Sequence, residues 1–230
     1  MGPDSAIVGR PCKPQLLDPI PELILDETFH RYSFRGELLA RSVSEVVGYQ
    51  LTETQRAGME RYKNGPKGWA ARGAAIHKVL ETYLRGEPSE HDEIWQPWIE
   101  PLLDESLFNR IRLHACEYRL VDVARSMGGS FDFLVEQEEL GVPAGKGLMV
   151  LGDLKTVSSA QALKRRKPAT AQLGAYLGML QQYHPDLRVD QCVTVVSGPD
   201  GCRVIREDPE DCRAAWEDTW ARYELDQPDF

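Results

Sequence analysis

The sequence predicts an α/β protein: a central mixed β-sheet, built as an antiparallel meander with further strands, flanked by helices. Three observations carry this expectation. Residues 113–123, 128–136 and 151–157 are short runs rich in β-branched and aromatic residues, separated by turn chemistry. A further strand pair follows at 191–196 and 202–206, around a turn at 198–201. Stretches with helical periodicity lie before and after the meander.

At 230 residues, the chain is long enough for one well-buried core. Residues 1–22 hold Pro3, Pro11, Pro14, Pro19 and Pro21 and read as an extended arm, leaving 23–230 as a single domain. No run of 18 apolar residues is present, so no membrane span is expected. The first residues show no signal-peptide core, which reads as cytoplasmic, in a bacterium or a phage-infected host; a processed mitochondrial form would look the same.

Taken in order, residues 29–40 alternate around Arg35-Gly36 and predict a hairpin. Ser42 or Ser44 can cap the short helix that follows. A polar helix at 52–63 breaks at Asn64-Gly65-Pro66, and the next helix spans 69–84 with Ile76, Leu80, Tyr83 and Leu84 as its core stripe. On the adjacent stripe His77 and Glu81 stand four apart, although a salt bridge to Arg85 explains Glu81 equally well. Residues 94–108 predict one amphipathic helix, and 113–123 a strand with Glu117, Arg119 and Val121 on one side. After the meander, Pro168 suits the first turn of a helix running to about Tyr183. There Gly174 and Gly178 are expected to permit close packing. Residues 208–223 form a last helix with Trp216 and Trp220 in the core.

The chemistry concentrates on the meander. The strands at 128–136 and 151–157 flank a Gly/Pro-rich loop, and folding the chain near Val142 brings Asp132 opposite Asp153. Like charges so placed, with Cβ atoms ~5 Å apart, are destabilising unless a positive charge intervenes. A divalent cation relieves the repulsion, and hard oxygen ligands suit Mg²⁺ or Mn²⁺. Lys155 shares the face of Asp153, beside such an ion, where it can position or deprotonate an attacking water.

These residues resemble a family. Asp132, then Asp153-Leu154-Lys155, then Gln172-x-x-x-Tyr176 look like the PD-(D/E)xK nuclease superfamily in its RecB-like branch, which includes a CRISPR spacer-processing nuclease and the mitochondrial genome-maintenance exonuclease. Residues 71–81, around His77, look like that branch's helix with a metal-binding histidine. The resemblance covers about residues 29–196 and implies a restriction-endonuclease-like core. It also implies a metal held by His77, Asp132, Asp153 and the Leu154 carbonyl, with Asp132, Asp153, Lys155, Gln172 and Tyr176 as the catalytic set. Gln172 would hold Lys155 or the scissile phosphate, and Tyr176 would contact substrate. Glu117 stands where related enzymes often carry an acid; a structural salt bridge fits as well. Ser42 and Ser44 match a segment near single-stranded substrate. The implied function is a metal-dependent DNA exonuclease preferring single-stranded ends, in replication, recombination or repair. The alternatives are a non-cleaving DNA-end-binding or adaptor protein, or a spacer-processing nuclease.

A net charge of −9 is awkward for a nucleic-acid enzyme. It sits better with a groove threading one strand, and Lys164, Arg165, Arg166 and Lys167 concentrate positive charge just after the meander. Some branch members hold an iron–sulfur cluster on one N-terminal and three C-terminal cysteines. Cys12 with Cys192, Cys202 and Cys212 matches that count, but the three C-terminal residues stand ten apart, so free thiols are expected instead.

Overall fold

The computed structural model describes residues 16–65, 68–138 and 145–227. A small antiparallel sheet comes first, β1 (Leu23–Asp26), β2 (Arg31–Phe34) and β3 (Glu37–Leu38). Its β2–β3 turn is the expected one at Arg35-Gly36, both with positive φ (54° and 82°). The β1 strand begins at Leu23, directly after the stretch expected to be the arm, 1–22, and has no counterpart among the strands expected from the sequence. Of that arm, residues 1–15 lie outside the described residues; the next stretch runs without secondary structure along the main sheet, where Leu17 N–H donates to the His114 carbonyl at 2.8 Å.

The main sheet holds β4 (Arg41–Ser42), β5 (Ile111–Asp122), β6 (Met127–Gln137), β7 (Leu148–Thr156), β8 (Gln191–Gly198) and β9 (Gly201–Glu207). The β5–β6–β7 meander is antiparallel, β7 pairs parallel with β8, and β9 returns antiparallel. The chain is thus mixed α/β with a central mixed sheet flanked by helices. The fold-back point near Val142 lies outside the described residues.

The helices are α1 (Val43–Val47), α2 (Glu53–Arg61), α3 (Trp69–Leu84), α4 (Gln96–Leu103), α5 (Ala160–Arg165), α6 (Thr170–Tyr183) and α7 (Pro209–Asp226). They divide between the sheet's two faces, and each face has its own core. Ile76, Leu80, Ile99 and Leu102 of α3 and α4 pack on Phe133, Val150 and Leu154. Opposite, Leu173, Tyr176, Trp216 and Trp220 of α6 and α7 pack on Phe131, Leu134 and Leu151. Gly152 leaves room on β7 for the Phe133 ring, which lies 1.9 Å from where a Cβ would stand.

Three local expectations are corrected. The single helix expected over 94–108 is broken: a 3-10 turn at Glu93–Trp95 leads into α4, which ends at Leu103, and a second 3-10 turn spans Ser106–Phe108. Pro101 inside α4 removes one helical donor, and the last turns follow the strand entry rather than the apolar period. Pro168 lies before α6, whose N-cap is Ala169. The two glycines of α6 differ. At Gly174 a Cβ would lie 1.9 Å from the Cys212 carbonyl oxygen of α7, whereas Gly178 faces open space.

Gly174→Ala should therefore cost about 1–3 kcal/mol by forcing α6 and α7 apart. Gly178→Ala should be neutral or stabilise by up to about 1 kcal/mol through helix propensity. Urea denaturation of the two variants measures both; equal effects would remove the close crossing.

Candidate metal centre

The centre lies where the main sheet splits. β5 pairs along the length of β6 on one edge. On the other edge β4 takes Met127 and Gly128, and β7 takes residues 133–137. Residues 129–132 are left without a ladder partner there, so β6 and β7 part at Asp132. One step beyond the last pair, Phe133↔Gly152, the same register sets Asp132 against Asp153.

A pleat reversal crosses the same point. Cys116 and Phe133 belong to the core under α3 and α4, but Tyr118 and Phe131 to the core under α6 and α7. Residues two apart on a regular strand share a face, so the alternation breaks at Glu117 on β5 and at its neighbour Asp132 on β6. Glu117 has φ 48°, a region costly for a non-glycine residue by about 1–3 kcal/mol. That strain brings the Glu117 carboxylate alongside Asp132.

His77 reaches this point from α3. Its Nδ1 lies 2.9 Å from Asp132 Oδ1 and 3.6 Å from Glu117 Oε1. Among the described residues, one ligand atom from each of His77, Glu117 and Asp132 lies within 4.8 Å of the others. The second Asp132 oxygen accepts a hydrogen bond from Leu154 N–H. The N–H and C=O of a strand residue share an edge, so the Leu154 carbonyl points along that edge too. A cleft of ≈ 490 Å³ lined by His77, Glu117, Arg119 and Ser130 opens onto the group.

Charge in the cluster is tightly balanced. Burial works against ionisation of His77, but Asp132 and then Glu117 outweigh it and raise the imidazole to about 10. Burial likewise opposes the Asp132 charge; His77, Lys155 and the Leu154 amide prevail and hold this carboxyl below its ordinary value. For Asp153 burial wins: with Asp132 adding to it, the carboxyl rises despite Lys155. Its Oδ2 lies 2.8 Å from Lys155 Nζ but off the hydrogen-bonding line, a buried oxygen with no hydrogen-bond partner.

Behind the acids runs a chain of contacts. Lys155 Nζ donates to Asp153 Oδ1 at 3.1 Å and to Gln172 Oε1 at 3.0 Å, and Gln172 Nε2 donates to the Tyr176 hydroxyl at 2.7 Å. Tyr176 is only 2% exposed. Its ring fills the space left by Gly129 on β6, where a Cβ would come within 2.9 Å of it. The expected contact of Tyr176 with a substrate is therefore corrected: it positions Gln172 from within the core.

The structure thus brings together His77, Asp132, Asp153, Leu154, Lys155 and Gln172, and adds Glu117. Asp153 lies outside the 4.8 Å group that Glu117 joins. Ser42 is buried, and its hydroxyl accepts from Glu45 N–H while Glu45 Oε2 accepts from Ser42 N–H. This reciprocal cap occupies it, so Ser42 is a cap, not a phosphate contact. Ser44 is exposed on α1. Lys164 and Arg165 close α5, and with Arg166 and Lys167 they are exposed. Arg203 donates to the carbonyls of Leu163, Lys164 and Arg166, fixing that backbone. Glu81 pairs with Lys78 and Arg85 and lines the same cleft, outside the 4.8 Å group. Cys192 contacts Cys212 in one core, while Cys202 packs on the other face of the sheet; Cys12 lies outside the described residues.

No protein-family model matches the chain, and no curated protein matches it. Among solved structures it is similar to one described as "Crystal structure of SSO0001", with 16% identity over 78% of this chain and 74% of that one. The TM-score is 0.39, too loose a superposition to carry an argument. No helix among the described residues is long and apolar enough to cross a membrane.

The raised imidazole has a consequence for stability. A group lifted from 6.5 to about 10 on folding contributes stability in full below pH 6.5, lost as pH rises through about 10. The depressed Asp132 acts oppositely, contributing above its ordinary 3.8 and losing that contribution in acid. Chelator-treated protein should lose stability between about pH 6.5 and 10, by at most about 1.4 kcal/mol per pH unit from this one proton. Thermal unfolding across that range should show the slope, and His77→Gln should flatten it.

Proposed function

We propose that the chain is a metal-dependent nuclease built on a restriction-endonuclease-like core, a DNA exonuclease acting on single-stranded ends. One observation carries this reading: an imidazole nitrogen and two carboxylates converge within 4.8 Å at a split in the sheet, with the Asp153–Lys155 pair directly behind.

The donors suit a divalent ion. One nitrogen with hard oxygens fits Mn²⁺ better than Ca²⁺, with Mg²⁺ as the all-oxygen alternative. His77, Glu117 and Asp132 would hold the ion, with Asp153 and the Leu154 carbonyl completing the set. Such an ion, when bound, polarises a phosphoryl oxygen and lowers the pKa of a water.

The chain's own residues do the rest. Asp153 and Gln172 hold the Lys155 ammonium in place, so its charge and protons face the reacting phosphate without a rotamer search. Tyr176 fixes the Gln172 amide and is a positioning residue. Glu117 balances the site at the cost of backbone strain. His77 carries a proton in the metal-free protein and must release it to ligate. The basic residues 164–167 and a net charge of −9 favour a single strand drawn along a local positive path over broad duplex binding.

Purified protein with Mn²⁺ or Mg²⁺ should shorten linear single-stranded DNA and leave closed circles intact, and EDTA should stop it. Asp153→Ala and Lys155→Ala should each lower the rate about 10²- to 10⁴-fold without loss of fold. Glu117→Ala and His77→Ala should chiefly raise the metal concentration required, and proton release on Mn²⁺ binding should disappear in His77→Ala. Full activity in Asp153→Ala would end the proposal. DNA retained but never cut would make the chain an end-binding protein.

A further inference from the structure

On the α3–α4 face of the sheet lies a second cleft, of ≈ 380 Å³, lined by Arg61, Tyr62, Asn64, Trp69, Arg72 and Ser158 among others. No carboxylate lines it among the described residues, in a chain with nine more acidic than basic side chains. Arg72 is the unusual member. It is only 5% exposed, yet it forms no ion pair among the described residues. Among the described residues its one side-chain hydrogen bond goes from Nε to the neutral Thr156 hydroxyl at 3.4 Å. The guanidinium also lies 5.8 Å from the centre of the Trp98 ring.

A guanidinium carries five N–H donors arranged to grip an oxyanion. Burying that charge without an acid is costly, and a bound oxyanion would supply the missing partner. Burial, with no acid to oppose it, also lowers the Arg72 pKa. The cleft lies at the N-terminus of α3, with Gly68 as cap and no capping side chain, so the helix dipole adds to the positive field. Two rings stand at its rim: Tyr62 is 66% exposed and Trp69 38%. Exposed rings beside arginines are the composition that stacks unpaired bases.

The cleft connects to the metal centre through two elements. Arg72 and His77 lie on one helix, five residues or ~7.5 Å of axial rise apart. Thr156, which Arg72 touches, follows Lys155 directly.

We infer that this cleft seats a phosphate group of the substrate strand, gripped by Arg72 and Ser158, with Tyr62 and Trp69 stacking on the adjoining base. The identity of the strand rests on the nuclease reading; the anion site itself does not. At ~3.4 Å of rise per stacked nucleotide, the cleft holds the strand within a few nucleotides of the centre.

The test is binding without catalysis. In EDTA, a short oligo-dT with either a 5′-phosphate or a 5′-hydroxyl is titrated into the protein, followed by anisotropy and by tryptophan fluorescence; inorganic phosphate serves as competitor. The parent should bind, and phosphate should compete. Arg72→Met should weaken binding at least tenfold while its Tm stays at or above that of the parent, since removing an unpaired buried charge does not destabilise. Tyr62→Ala, at an exposed position, should weaken binding about 5- to 150-fold and decides the matter should Arg72→Met fail to fold. Tighter binding of the phosphorylated end assigns a terminal monoester; equal binding assigns an internal diester. Parental affinity in Tyr62→Ala together with either parental affinity or failure to fold in Arg72→Met overturns the inference. Binding through Arg72 without cutting in Mn²⁺ keeps the cleft and ends the nuclease reading, whereas cutting with unaltered affinity in both variants does the reverse.

Discussion

The carboxylate of Asp132 is the point on which the structure turns. It sits where β6 and β7 separate, takes the Leu154 amide that would otherwise enter the ladder, and pairs with His77 across the sheet edge. A buried acid is tolerable only when its lone pairs are occupied, and here the His77 imidazole of α3 and the Leu154 amide of β7 occupy them. The sheet's split, the seating of α3 and the unusual backbone of Glu117 all meet at that one charge.

Two acids facing each other across a hairpin would repel, yet they meet different environments. Asp132 is held ionised by its imidazole partner, while Asp153 is pushed toward its neutral form by burial. The fixed ammonium of Lys155 then ties the pair to α6, through Gln172 to a tyrosine sealed in the core. Rigidity at the centre therefore draws on the packing of α6 against α7, far from the cleft.

Charge is distributed to match. Acids gather at the split, and positive groups gather at residues 164–167 and around Arg72. Charges farther apart than about 8–10 Å are largely screened at physiological salt, so the local arrangement of these groups outweighs the net charge of −9.

Much of this was legible in the residues themselves. Alternation and turn chemistry marked the meander, and counting back from its loop placed Asp132 opposite Asp153, because strand register is a matter of parity and loop length. The break at Asn64-Gly65-Pro66 marked where α3 begins, and its apolar stripe set His77 on the face beside the core. The sequence offered Ser42 or Ser44 as the cap, and the structure decides for Ser42, with Glu45 closing the reciprocal box. Other features depended on contacts between distant segments. Glu117 joins the cluster through a pleat reversal that no glycine announces, so parity along β5 could not place it. Tyr176 and Gln172 look alike on a helical wheel; the space left by Gly129 and the cover of α7 bury one and leave the other at the site. Arg72 stands in the same helix as His77 and reads as an ordinary surface cation. Only the assembled fold encloses it without an acid, because burial and the absence of a partner are properties of everything around a side chain and not of its neighbours in the chain.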